Sequence, residues 1–124
     1  MLIKCYFDCP NKNLGDTIRV TFMSYEMLVG LNVLDEKGYQ KYRDAMSPIL
    51  SSHGGGFGYD FRVSEVLMSE TDVIINRVFT IFFSELKKKE LFFSNPEYLK
   101  VKEQYFNASV GSITIISSYE KNNS

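Results

Sequence analysis

The sequence predicts an α+β domain whose elements follow one another in the order β-α-β-β-α-β. Three observations predict it. Met27, Val29, Leu31 and Val33 are apolar at alternate positions, with Leu28 and Leu34 adding apolar groups to the other side, the period of a strand buried on much of both faces. Tyr39, Tyr42, Ala45, Met46, Ile49 and Leu50 then recur at three- and four-residue steps, the stripe of an amphipathic helix. Phe57, Tyr59, Phe61 and Val63 next alternate with Gly58, Asp60, Arg62 and Ser64, returning the pattern to that of a strand with one wet side.

The boundaries follow from local chemistry. The first strand begins at about Glu26, and Asp35 can accept a hydrogen bond from the first turn of the helix after it. Pro48 lies inside the helical stripe and lacks the N–H that would bond to the preceding turn, which predicts a kink or break near Ser47. Gly54, Gly55 and Gly56 end that helix, because glycine takes the left-handed terminal conformation at little steric cost. After the second strand, Ser69-Glu70-Thr71-Asp72 is a polar break, and residues 73–83, rich in β-branched and aromatic side chains, predict a third strand joined by a hairpin. Ser84 can cap a short helix running to about Phe93, and Asn95-Pro96-Glu97 restarts it with a cap, a first-turn proline and an acid at the positive end of the dipole. Tyr98, Val101, Tyr105 and Phe106 are its expected inward face. Gly111 is expected to stop it, and Ile113, Ile115 and Ile116 mark a last strand ending near Tyr119. This order is the split βαβ arrangement of ferredoxin-like domains. The reading divides the chain into an N-terminal extension over residues 1–25, the domain over 26–120 and a frayed tail over 121–124. Residues 1–25 contain two strand-like stretches around a turn-rich segment and are either an added edge hairpin or a stretch upstream of a start at Met23 or Met27.

Composition excludes several function classes. A chain of 124 residues is one domain's worth, and its 44% hydrophobic and 15% aromatic content is that of a folded core. Lys+Arg 14 against Asp+Glu 15 leaves no positive field for phosphates or anionic lipid, so neither nucleic acid nor a membrane is an expected partner. Cys5 and Cys9 supply at most half a zinc site, and no metal or other cofactor is expected. No signal-peptide pattern and no membrane-length apolar run is present, so a reducing cytoplasm is the expected location.

The third strand also predicts an assembly. By alternation Val73, Ile75, Phe79, Ile81 and Phe83 form one face and Ile74, Val78 and Phe82 the other, beside Asn76 and Thr80. Helices in this topology cover one side of the sheet, and an open apolar second side exceeds what soluble monomers usually expose. A second copy packed sheet to sheet is the economical cover, which predicts a homodimer. Cover supplied by the N-terminal hairpin is the alternative.

His53 is the only histidine, the residue type whose unperturbed pKa lies near neutrality, which makes it the first candidate for proton transfer, assisted by Asp35 or a tyrosine hydroxyl. The competing reading is structural: a histidine in the last helical turn meets free carbonyls, and Asp35 is then simply a cap. His53-Gly54-Gly55-Gly56 is similar to an esterase oxyanion loop, but no Gly-x-Ser-x-Gly turn accompanies it. The glycines follow a helix instead of preceding one, which excludes a phosphate cradle. Lys87-Lys88-Lys89, flanked by acids, reads as a solvated face. Tyr39, Tyr42, Tyr98 and Tyr105 lie at helical spacing, either as core residues with hydroxyls at the rim or as the walls of a ligand cleft.

Taken together, Asp35-x-x-x-Tyr39-x-x-Tyr42, Pro48 five residues before His53-Gly54-Gly55, Phe82-Phe83-Ser84, and Phe92-Phe93-Ser94-Asn95-Pro96-Glu97-Tyr98 resemble, in order and spacing, the family catalogued as domain of unknown function 1330, over about residues 27–119. The resemblance implies a ferredoxin-like protomer assembled as a dimeric α+β barrel, with a small-molecule pocket bordered by Gly54, Gly55, Asn95 and Tyr98. It brings no established reaction. The family usually carries Glu-Gly where Met68-Ser69 stand, tryptophan and aspartate at Phe92 and Ser94, and an arginine near Tyr105 that is missing here. Two functions follow as expectations. One is a small-molecule-binding protein with acid-base chemistry at His53 and Asp35 and ligand contacts at Tyr39, Gly54, Gly55, Asn95, Tyr98 and Tyr105. The other is a non-catalytic homodimeric module in which the same residues serve caps, turns and the interface.

Overall fold

The computed structural model describes residues 23–122. The elements are β1 (Met23–Val33), α1 (Glu36–Ser52), β2 (Gly55–Arg62), β3 (Arg77–Phe83), α2 (Leu86–Phe93) and α3 (Pro96–Val101), with α3 continuing through a π turn (Lys102–Phe106) and a last helical turn (Asn107–Ser109) into β4 (Val110–Asn122). The four strands form one antiparallel sheet in the order β2-β3-β1-β4, and the fold is α+β of the ferredoxin-like kind. Most of the expected N-terminal extension and both cysteines lie outside the described residues. Met23, Ser24 and Tyr25 belong to β1, and Lys121 and Asn122 pair with Ser24 and Met23, so the sheet extends past both expected limits of the domain.

One face of the sheet holds the core. Met27, Val29, Leu31 and Val33 of β1 and Phe79, Ile81 and Phe83 of β3 point to the helices, and the predicted stripe of α1 meets them with Tyr39, Tyr42, Met46 and Leu50, all buried. Each such side chain stabilises the fold by roughly 1.5–3 kcal/mol through removal from water. That packing explains why α1 runs unbroken through Pro48: Met46 and Leu50, buried on either side of it, clamp the helix to the sheet, and Ser47 Oγ donates to the Arg43 carbonyl at 2.6 Å. The expected break is absent.

The caps are partly as expected. Asp35 accepts from the Gly38 N–H at 3.2 Å, and Asn95 Oδ1 accepts from the Tyr98 N–H at 3.0 Å. Gly54 takes φ +70° at the end of α1, the left-handed conformation predicted for the glycine run. Ser84 is not the cap of α2. Its N–H donates to the Gly54 carbonyl, extending the edge of β3, and α2 begins one residue later behind Glu85. Gly111 does not stop the last helix either. Ser109 does, because its carbonyl accepts both the Leu34 and Asp35 N–H groups, and β4 starts at Val110 with Gly111 inside it.

Two departures rearrange the faces. The pairing of β2 with β3 slips between Phe57 and Asp60, where Gly58 and Tyr59 of β2 together oppose Thr80 of β3. Beyond this bulge the alternation is reversed: Asp60 faces the helices, while Tyr59 and Phe61 stand on the outer face at 65% and 54% exposure. The predicted third strand is also shortened to Arg77–Phe83. Asn76 takes the place of a strand residue with its side chain, accepting from the Val33 N–H at 2.8 Å and donating to the Val33 carbonyl at 3.0 Å. Ile75 consequently does not share the face of Phe79 and Ile81. It lies against Gly30 on the outer face, where a Cβ on that glycine would come within 3.1 Å of it.

Candidate functional site

The helical layer stops short of β4. Ile113 and Ile115 pair with Leu31 and Val29 and face the helix side, yet they are 49% and 50% exposed. Between them and the helices lies an apolar cavity of about 310 Å³. Its floor is the sheet at Met27, Val29, Leu31, Phe79 and Ile81, and its roof is Tyr39, Tyr42 and Met46 of α1. The remaining wall comes from α3 and the π turn: Tyr98, Leu99, Lys102 and Phe106.

The π turn places the last two of these. The Asn107 N–H bonds to the Lys102 carbonyl, five residues back, which widens the helix by one residue. Phe106 is thereby buried against Tyr42 with ring centroids 4.8 Å apart. Lys102 Nζ reaches outward to Asn107 Oδ1 at 3.2 Å, leaving its stem on the cavity wall.

Among the described residues, polar side chains at the cavity are phenols and that one amine. Tyr42 Oη and Tyr98 Oη are 2.8 Å apart and buried, joining α1 to α3 across 56 residues of sequence. Burial raises the pKa of both phenols above the ordinary tyrosine value of 10.0, so both are protonated at neutral pH. Asn95 positions this pair, because the amide it caps is that of Tyr98. Tyr39 accepts from Arg43 Nε at 2.8 Å, and its pKa is likewise raised, chiefly by burial.

Arg43 leads away from the cavity into a charge network. Its guanidinium stacks 3.7 Å from the centroid of Phe57, and Nη2 lies 3.1 Å from Asp60 Oδ2, close enough for charge attraction but without hydrogen-bond geometry. Arg77 holds the same carboxylate through two bonds of 2.8 and 2.9 Å and approaches Glu36 at 3.4 Å. The Arg77 hydrogen bond, opposed by partial burial and helped by the charge of Arg43, lowers the pKa of Asp60 below its usual 3.8. The sequence reading missed this network because it placed Asp60 on the wet side of β2. Arg77 interrupting an apolar run was the one available signal.

Of the residues expected at a site, the cavity takes Tyr39 and Tyr98. His53 and Asp35 cap opposite ends of α1, about 27 Å apart at 1.5 Å per residue, and cannot act on one proton together. His53 Nδ1 lies 2.9 Å from the Ile49 carbonyl, and its ring meets Phe92 edge-on at 5.8 Å, which is the helix-terminus role. Gly54 forms the turn before β2 and Gly55 opens the strand, and Tyr105 packs against the core outside the cavity lining. Among the described residues no group of three or more His, Cys, Asp or Glu side chains is arranged to hold a metal ion, and no helix is long and apolar enough to cross a membrane.

Neither a protein-family model nor a curated protein matches the sequence, so the family resemblance noted above stands on its motifs alone. Solved structures do share the fold. A protein of unknown function from Rhodopseudomonas palustris superposes with a TM-score of 0.69 at 15% identity, over 94% of this chain and 97% of that one. A dabb family protein with a ferredoxin-like fold from Mesorhizobium loti gives 0.54 at 12% identity, over 80% and 95%. Hydroxynitrile lyase from Passiflora edulis gives 0.57 at 11% identity, over 84% and 97%. At these identities the likeness is one of fold.

Proposed function

We propose that the protein binds a small, largely apolar molecule in the cavity between sheet and helices, and that it does so as a homodimer. The observation that carries the binding reading is an open 310 Å³ space walled by aromatic and aliphatic side chains against the buried core. A purely structural module of this fold would fill that space with side chains. His53 and Asp35 lie outside the cavity lining, and binding is proposed without acid-base catalysis at those residues.

The mouth supplies the test. Ile115→Trp adds bulk at a half-exposed position that lines the cavity, where the fold has little to lose. Acetophenone at about a hundredfold excess over its Kd should stabilise the wild type by about 2.7 kcal/mol and leave the tryptophan variant unshifted in thermal unfolding. Equal shifts in both proteins would place the ligand elsewhere.

The dimer reading is supported by the outer face. Tyr59 and Phe61 stack there with centroids 5.9 Å apart and line a shallow apolar groove with Leu28 and Val78. Further along the same face Tyr119 donates to the buried Glu26 at 2.8 Å, and desolvation together with that acceptor pushes its pKa up to about 12. Aromatic groups at this exposure on an open sheet are what a second copy would cover. The wild type is expected to elute at twice the chain mass by light scattering, and Phe61→Lys at the chain mass. A wild type that stays monomeric at micromolar concentration rejects the assembly.

A further inference from the structure

Resting on the cavity as the binding site, we infer the class of its occupant: a neutral molecule with an apolar body and one hydrogen-bond-accepting oxygen, received by the Tyr42–Tyr98 hydroxyl pair. Two phenols carry two hydroxyl hydrogens, and the 2.8 Å contact between their oxygens uses one. The second has to find an acceptor, because a buried hydroxyl without one loses its hydration with no return.

Among the described residues the walls offer none, and neither phenol has another hydrogen bond. Apart from the phenols themselves, the lining side chains are hydrocarbon, the thioethers of Met27 and Met46, which accept only weakly, and the donor-only ammonium of Lys102. Tyr39 makes no hydrogen bond with the pair, and its oxygen takes the Arg43 Nε–H of the other network. The leftover hydrogen is therefore available to whatever enters, and an entering oxygen completes the pair. Neutrality follows from the same walls. A carboxylate beside the phenols would lose its hydration in an apolar space whose single cation, Lys102, reaches outward to Asn107. Volume sets the size: an apolar cavity of about 150 Å³ takes benzene, so this larger one admits a substituted ring.

The test compares two probes of one shape, acetophenone and α-methylstyrene, which differ by an oxygen in place of a methylene, with benzoate as the charged analogue. Affinities are measured by titration calorimetry on the wild type, the double variant Tyr42→Phe with Tyr98→Phe, and Ile115→Trp. The ratio of ketone to hydrocarbon affinity should fall about three- to tenfold in the double variant, the worth of one hydrogen bond, while the hydrocarbon affinity itself stays within about twofold and reports an intact cavity. Each single variant should keep part of the ratio, because the lone remaining hydroxyl frees its own hydrogen. A ratio unchanged in the double variant overturns the oxygen inference, and so does benzoate binding more tightly than acetophenone. In both cases the cavity reading survives if Ile115→Trp still abolishes binding. Failure of every probe to bind, or binding that Ile115→Trp leaves untouched, overturns the cavity reading together with the inference.

Discussion

Replacing Phe92 by alanine is expected to cost about 3–4 kcal/mol of folding stability, the largest loss of any single substitution considered for this chain. The ring has no exposed surface and sits where four segments meet. It lies 5.6 Å from Phe83 of β3, 5.0 Å from Phe93, 4.4 Å from Tyr98 of α3 and 5.8 Å from His53 at the end of α1. Removing it leaves a void that the surrounding rings, each held by another partner, cannot collapse to fill. Leu91→Ala, one position away but half exposed, is the control and should cost under about 1 kcal/mol. Urea unfolding of the pair reads the difference, and comparable midpoints for the two variants would show that Phe92 is not the joint described.

The second large effect is at Asp60. Asp60→Asn removes the carboxylate that Arg77 grips with two bonds and that Arg43 faces at 3.1 Å, and both arginine side chains are only 11% exposed. Two guanidinium groups would then lie against Tyr39 and Phe57, with Glu36, half exposed, as the nearest remaining acid to Arg77. Breaking a fully buried pair costs about 3–5 kcal/mol. Asp60 keeps a third of its surface in water, so about 2–3 kcal/mol is expected. The pH dependence gives the sign. The pKa of Asp60 is depressed in the fold, so its contribution is present above the usual 3.8 and is lost as pH falls through the lower folded value. The stability gap between wild type and variant should be constant from neutral pH to about 5 and narrow below 3.8. A gap that persists undiminished in acid would assign the cost to shape instead of charge.

Much of this architecture was legible in the chain because it depends on neighbours in sequence. The stripe of α1, its Asp35 cap, the left-handed Gly54 and the Asn95-Pro96 restart all depend on residues within one or two helical turns of each other, where spacing alone decides who meets whom. The apolar strands were legible for the same reason. Alternation failed at two places where a local change alters everything downstream. One inserted residue between Phe57 and Asp60 exchanged the faces of β2, and the Asn76 side chain replaced a strand residue and released Ile75 to the outer face.

The candidate site depends on distance in sequence. Tyr42 and Tyr98 were recognisable as helical aromatics, but nothing within either helix states that their hydroxyls touch. Nor does any local pattern announce the π turn that turns Phe106 inward and lays the stem of Lys102 on the wall, or the helical layer that leaves Ile113 and Ile115 uncovered. Short-range spacing was enough to write down the elements and their order, since hydrogen-bond geometry and side-chain periodicity act over a few residues. The cavity, its paired phenols and the Asp60 network were decided by how those elements pack, because a packed interface depends on the volumes and registers of all its members at once.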